Sequence, residues 1–421
     1  MNTEKTIYVH LENSSENLIS VGKLFVNFEK GTERFSFAFD EAFLSSEYST
    51  LFFDADLYPC QGRQYLPSDK ALFGVFSDAA PDRWGRLLMK RREAIVARNE
   101  DRKPRKLTES DYLLGVYDES RMGALRFSLA QDGPFLSDEK DYATPPFEYL
   151  RKLEEASREF EKDENLLEDK WVRQLIGPGS SLGGARPKAT VKDVDGSLWM
   201  AKFPSKNDDY DVGAWEQVAH DLAMRCGLNV PEAKLMRFSK LGSTFLVKRF
   251  DRNGKQRIPF MSAMTALGKK DGASAADGTS YLDIVSFIRA NGAEPKADLE
   301  ELWRRIVFNM AVSNTDDHLR NHGFIMTPNG WRLSPLYDVN PVPDSDYLAL
   351  NIDDEDNSIS IDLAISSAKY FGITDLEAER KAKEILSVVG DNWEKAALRY
   401  GIGRSSIEYM RPAFSEGKRE N

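Results

Sequence analysis

The chain has 421 residues, 41% of them hydrophobic and 30% charged. That is enough for two or three domains with apolar cores, and too apolar for a disordered chain. A net charge of −11 argues against direct binding of duplex DNA, which selects a basic surface. Only Cys60 and Cys226 are available for disulfides, which fits a reducing cytoplasm.

No run of about 18 apolar residues predicts a membrane span, and the polar N-terminal stretch lacks the apolar core expected of a secretory signal. Residues 20–40 alternate: Leu24, Val26 and Phe28 share one face, as do Phe35, Phe37 and Phe39, with Lys30-Gly31 between them. This predicts a β-hairpin. Caps and a proline in Ser77-Asp78-Ala79-Ala80-Pro81-Asp82 precede Arg83-Trp84-Gly85-Arg86-Leu87-Leu88, predicting a helix whose basic end, Lys90-Arg91-Arg92, suits its negative pole. Arg102-Lys103-Pro104-Arg105-Lys106 reads as a solvated loop or as a docking site for an acidic partner.

Thr144-Pro145-Pro146 breaks the chain, and the charged stretch from Lys152 to Lys170 predicts an exposed helix. Apolar runs within 186–203 and 233–250 read as strands. Between them Trp215, Val218 and Leu222 have helical spacing. Farther on the signal is mainly helical: Leu299, Leu302, Trp303, Ile306 and Met310 lie on one stripe, and 375–389 and 391–399 are amphipathic. The expectation is an α+β protein in three parts: an α+β subdomain at 1–132, a sheet-rich lobe at 133–252 and a helical lobe at 253–421.

Phosphoryl transfer from ATP needs a cover for the phosphates, a cation to hold them, acidic or amide oxygens for Mg²⁺, and a base for the attacking hydroxyl. Four stretches offer these in order. The first runs over 177–188 and contains Gly183, Gly184, Ala185, Arg186, Pro187 and Lys188. Its glycines let backbone N–H groups approach an anion, although alone it also fits an ordinary turn. The second is Lys202, a lysine in an apolar strand, with Glu216 on the next helix as a partner for it. An edge-strand lysine facing water is the alternative.

The third stretch places Asp316 and Asn321 five positions apart, the D-x-x-x-x-N spacing that sets a base beside a metal-binding amide. A polar turn has the same look. In the fourth, a short apolar strand leads into Leu336-Tyr337-Asp338, where Asp338 takes the place of a metal-binding aspartate, though no D-F-G follows. An aspartate capping a turn before Asn-Pro is the plain reading. Their order along one chain is what joins the four into a kinase site. His318 and His322 lie four apart but lack the companions of a zinc site.

At these residues the chain resembles the HipA family of toxin kinases. The likeness is carried by Gly184-Ala185-Arg186-Pro187-Lys188, Arg249-Phe250-Asp251-Arg252, the stretch 316–323, and Leu333-Ser334-Pro335-Leu336-Tyr337-Asp338. Phe73-Gly74-Val75-Phe76-Ser77-Asp78 and Pro81-Asp82-Arg83-Trp84-Gly85 are similar to that family's N-terminal subdomain. The resemblance implies a two-lobed fold of the phosphatidylinositol-kinase-like type and phosphorylation of protein serine or threonine. It implies ATP contacts at 183–188, Lys202, Lys248, Arg249, Phe250, His318, Leu319, Arg320, Asn321, Tyr337 and Asp338, with Asp316 as catalytic base and Asn321 and Asp338 on Mg²⁺.

Relatives usually carry an acidic residue where Lys248 stands. The resemblance further implies autophosphorylation of a loop serine, matched by Ser181 with Ser180 beside it. It also implies a small helix-turn-helix antitoxin, HipB-like, that carries the DNA binding, and targets in translation such as aminoacyl-tRNA synthetases, with growth arrest. A small-molecule or phosphatidylinositol-type kinase, or a non-catalytic binding module, could use the same scaffold.

Overall fold

The computed structural model describes residues 4–12, 18–29, 31–136, 144–162, 175, 184, 186–343 and 345–415. The chain divides into two compact units, Met1–Lys206 with Lys248–Met261, and Asn207–Val247 with Ser262–Asn421. The expected divisions at 132 and 252 both fall among the residues of the first unit. Gly183, Ala185, Ser180 and Ser181 lie outside the described residues.

The first unit is built on an antiparallel sheet. Strands β1 (Lys5–Glu12), β2 (Leu18–Glu29), β3 (Thr32–Phe39), β4 (Gln64–Tyr65) and β5 (Leu125–Ser128) are ordered β4-β3-β2-β1-β5. The predicted hairpin is β2–β3, closed at Glu29↔Thr32. Its alternation puts Leu24, Val26, Phe35, Phe37 and Phe39 into the core, while Phe28 at the strand end stays 50% exposed. Gly22 is required where β2 passes β3, because a Cβ there would stand 2.2 Å from the Ala38 carbonyl oxygen.

Helix α1 (Arg83–Asn99) starts where the caps predict, with the Asp82 carboxylate accepting from Gly85 N. Helix α2 (Glu109–Leu114) follows, opened by a Thr108/Asp111 capping box. In the basic run before it, Arg102 pairs with Glu93 and Glu100, and Arg105 with Asp111.

Helix α3 (Leu150–Lys162) differs from the expected exposed helix. Leu150, Leu153, Ala156 and Phe160 are buried, because apolar residues three to four apart form a stripe inside the charged sequence. Strands β6 (Lys188–Lys192) and β7 (Leu198–Lys202) then form an antiparallel hairpin in the register Lys188↔Lys202.

In the second unit, helix α4 (Val212–Arg225) leads to the hairpin of β8 (Ala233–Met236) and β9 (Thr244–Lys248). Helices α5 (Tyr281–Asn291) and α6 (Pro295–Ala311) precede the hairpin of β10 (Gly323–Thr327) and β11 (Gly330–Leu333), and α7 (Asp375–Arg399) and α8 (Arg404–Met410) close the unit. The core is anchored by Trp215, Trp303 and Trp393, all almost fully buried. Trp393 stacks on Phe414 at 4.6 Å, and the Trp215 and Trp303 indoles donate to Ser406 Oγ and the Ala364 carbonyl. A buried indole N–H needs such a partner. The two amphipathic stretches read at 375–389 and 391–399 are one helix, α7, which runs through Gly390. A single glycine lowers helix stability by only about 1 kcal/mol, and the buried face supplied by Ile385, Val389 and Trp393 outweighs it.

Candidate active site

The third and fourth stretches come together in the second unit. Helix α6 ends at Ala311, and the chain turns through Ser313, whose φ is +48°. Tight turns follow: His318 N donates to the Asp316 carbonyl, and Asn321 N to that of His318. Asn321 Nδ2 also donates to the Asp316 carbonyl at 2.8 Å. The Asn321 amide is therefore fixed in orientation, and its Oδ1 is buried with no hydrogen-bond partner among the described residues. Such an oxygen is open to a water or an ion.

Asp338 follows β11 and adopts φ +60°, a conformation that is uncommon outside glycine but tolerated by aspartate. Its Oδ1 accepts from Asn340 Nδ2 at 3.3 Å. The Asp316 carboxyl is held above the usual carboxylate range, by desolvation first; His318 pulls it down, while the charges of Asp338 and Asp317 push it up. Asp316 and Asp338 thus share one electrostatic environment. Tyr337 donates its hydroxyl to the Arg320 carbonyl at 2.7 Å, and Arg320 Nε lies 3.3 Å from Asp271. Leu319 is buried, its carbonyl accepting from Met264 N.

Beneath this loop lies a polar knot whose members were given no role from the sequence. Asp317 Oδ2 accepts from the Tyr281 hydroxyl at 2.6 Å, from Asn309 Nδ2 at 2.7 Å, and meets His322 Nε2 at 2.8 Å. Burial pushes the Asp317 carboxyl up, but His322 and the hydroxyl of Tyr281 outweigh it and hold the group below its ordinary value. Asn314 bridges both acidic loops, donating to Asn309 Oδ1 and accepting from Asn340 N at 3.2 Å. The one signal available in the sequence was Asn309, a polar residue on the apolar stripe of α6 that is fully buried.

The remaining predicted residues belong to the first unit. Gly184 has φ +94°, and Lys188 and Lys202 are buried on the β6–β7 hairpin. Arg186 and Pro187 lead into β6, with the Pro187 carbonyl accepting from Phe203 N. Lys248 lies with its ammonium 5.9 Å from the Trp199 ring centroid. Arg249 is committed elsewhere than to a ligand: its guanidinium, 1% exposed, binds both oxygens of Asp251 and the carbonyls of Ser120 and Arg121. Lys248 and Phe250 on either side of it are both half-buried.

Among the described residues no three His, Cys, Asp or Glu side chains converge as a metal cage. Mg²⁺ asks for less, since it keeps waters and phosphate oxygens and takes one or two protein oxygens. The turned Asn321 Oδ1 and the Asp338 carboxylate fit that ligand set. His322 Nε2 is spent on Asp317 and does not join His318 in a metal pair.

A family model, the HipA-like C-terminal domain, matches residues 180–397, just over half of the chain. A putative kinase of Haemophilus influenzae is 33% identical over 187 residues, 39% of this chain and 54% of that protein. The serine/threonine-protein kinase toxin HipA of Shewanella oneidensis is 32% identical over 213 residues, 44% of this chain and 49% of that one. The match thus spans about half the length of these curated relatives. A chain from the solved complex of the Shewanella oneidensis MR-1 toxin–antitoxin system HipA, HipB and its operator DNA superposes with a TM-score of 0.70 and 19% identity, covering 98% of this chain and 97% of that one. The α+β fold is therefore that of the HipA kinases. Both acidic loops and the β6–β7 hairpin lie inside the family match, and the chain belongs to the HipA-like C-terminal domain family.

Proposed function

We propose that this protein is an ATP- and Mg²⁺-dependent kinase that phosphorylates serine or threonine on a protein. The observation that supports the reading is that Asn321 Oδ1 is buried with no hydrogen-bond partner among the described residues, while the Asp316 carboxyl has its proton affinity raised, by desolvation first and then in part by Asp338. The names of the relatives, a putative kinase and a serine/threonine-protein kinase toxin, support it.

In this reading Asp316 orients the incoming hydroxyl and accepts its proton as the oxygen bonds to the γ-phosphorus and the bond to the β,γ-bridging oxygen breaks, releasing ADP. A raised proton affinity makes Asp316 the better base. Asn321 and Asp338 would hold Mg²⁺, which neutralises charge on the phosphates when bound. Lys202 would meet the phosphates, and the backbone near Gly184 would cover them. Asp317, held by His322, Tyr281 and Asn309, keeps the loop in shape, since a preorganised site needs its ligands fixed to within a fraction of an ångström.

A HipB-like helix-turn-helix antitoxin is the proposed partner. The solved relative comes from a complex with HipB and operator DNA, and a net charge of −11 leaves DNA contact to such a partner. Ser181, or Ser180 beside it, is the proposed autophosphorylation site, where a phosphate would add negative charge close to the nucleotide's own. A translation component is the proposed target, with growth arrest as the outcome in a cytoplasmic setting. The test is transfer from radiolabelled ATP to a bacterial lysate and, in parallel, to inositol lipids. Labelled protein serine or threonine is expected. Lipid turnover without protein labelling would contradict the proposal and select a lipid kinase.

A further inference from the structure

The Pro81-Asp82-Arg83-Trp84-Gly85 stretch has no part in the chemistry above, yet it grips the strand that carries the predicted phosphate-side lysine. Asp82 Oδ2 lies 2.9 Å from Lys188 Nζ, with side chains 1% and 3% exposed. The Trp84 indole donates to the Lys188 carbonyl at 3.0 Å and packs edge-on against Phe160. Lys188 Nζ also stands 3.4 Å from where a Cβ would sit on Gly184, so the ammonium lies beside the backbone of that glycine. Charges buried this deeply persist only when paired. In this conformation the Lys188 ammonium is almost fully buried.

We infer that Asp82 is a positioning residue for the nucleotide phosphates, acting through Lys188 on the backbone at Gly184. The inference rests on the kinase reading. Asp82 does two jobs with two oxygens: Oδ1 caps α1 by accepting from Gly85 N at 2.8 Å, and Oδ2 meets the lysine. Asparagine caps a helix about as well as aspartate, so Asp82→Asn removes the charge and keeps the cap. Lys188→Met removes the other charge and keeps the length of the stem.

The test measures the Kd of Mg-ATP by calorimetry, and KM and kcat for transfer, on the full chain as wild type, Asp82→Asn, Lys188→Met and the double variant. Each single change is expected to raise Kd about tenfold, a loss of about 1.4 kcal/mol, and Asp82→Asn is expected to keep kcat within about threefold. The double variant is expected to be no worse than the worse single, since the two act as one unit. An unchanged or tighter Kd in Asp82→Asn overturns the inference, as does a double variant whose losses multiply. If Asp82→Asn does not fold, Trp84→Phe carries the test: loss of the bond to the Lys188 carbonyl should raise Kd several-fold, and an unchanged Kd overturns the role. A wild type that binds no ATP overturns the kinase reading and the positioning role together, whereas normal wild-type binding with an indifferent Asp82→Asn overturns the positioning role alone.

Discussion

Asp316 is the residue on which the chemistry turns, and its surroundings make a prediction of their own. Its carboxyl is raised by desolvation and by the charges of Asp338 and Asp317, against the pull of His318. Carbon-13 NMR titration should therefore show Asp316 losing its proton above the usual aspartate value, about 3.9, and Asp338→Asn should move that titration downward. A titration indifferent to residue 338 would mean that the two carboxyls do not share a site. The five-position spacing of Asp316 and Asn321 could be read from the sequence. What could not be read was that Asn321 turns its Nδ2 back onto the Asp316 carbonyl and leaves Oδ1 with no hydrogen-bond partner among the described residues, because that orientation is set by turns in the loop and not by residue type.

At the scale of elements, α6 and the loop after it depend on a polar knot buried in an apolar setting. Helical periodicity located α6 through Leu302, Trp303 and Ile306, and it located α7 as two pieces. It could not place Tyr281 against Asp317, 36 residues away, since nothing local encodes that contact. Tyr281→Phe removes one hydrogen bond to a charged, buried acceptor and should cost about 2 kcal/mol in urea unfolding, together with a lower rate of phosphoryl transfer as the loop loosens. Wild-type stability in the variant would show that the Asp317 knot does not hold the loop. The stripe on α3 was missed for a different reason: its flanking charges hide the spacing of Leu150, Leu153 and Phe160 from a reading by composition.

For the molecule as a whole, the notable device is the segment Lys248–Met261, by which the chain returns to the first unit. Asp251 there binds Arg249 and Arg252 and accepts from Gly123 N at 2.8 Å, while Arg257 meets Asp118 at 2.7 Å. Arg249-Phe250-Asp251-Arg252 stood out in the sequence as a motif, but the separation of 128 positions between Gly123 and Asp251 concealed its partners. Burial pushes the Asp251 carboxyl up, yet Arg249 and Arg252 hold it down at about 2.

A depressed value stabilises the fold fully above the unfolded value near 3.9, and that contribution is lost as pH falls toward 2. Asp251→Asn should cost about 3–5 kcal/mol at neutral pH by leaving buried guanidinium groups unmatched. It should also flatten the loss of stability between about pH 4 and about pH 2. An acid limb as steep in the variant as in the wild type would assign that limb to other carboxylates.

The most direct measurement compares phosphate transfer from radiolabelled ATP by wild type and Asp316→Asn, with Mg-ATP affinity measured on both. The account predicts that transfer falls at least about 100-fold, the usual worth of a positioned base, while the nucleotide still binds. Transfer undiminished in Asp316→Asn would contradict it.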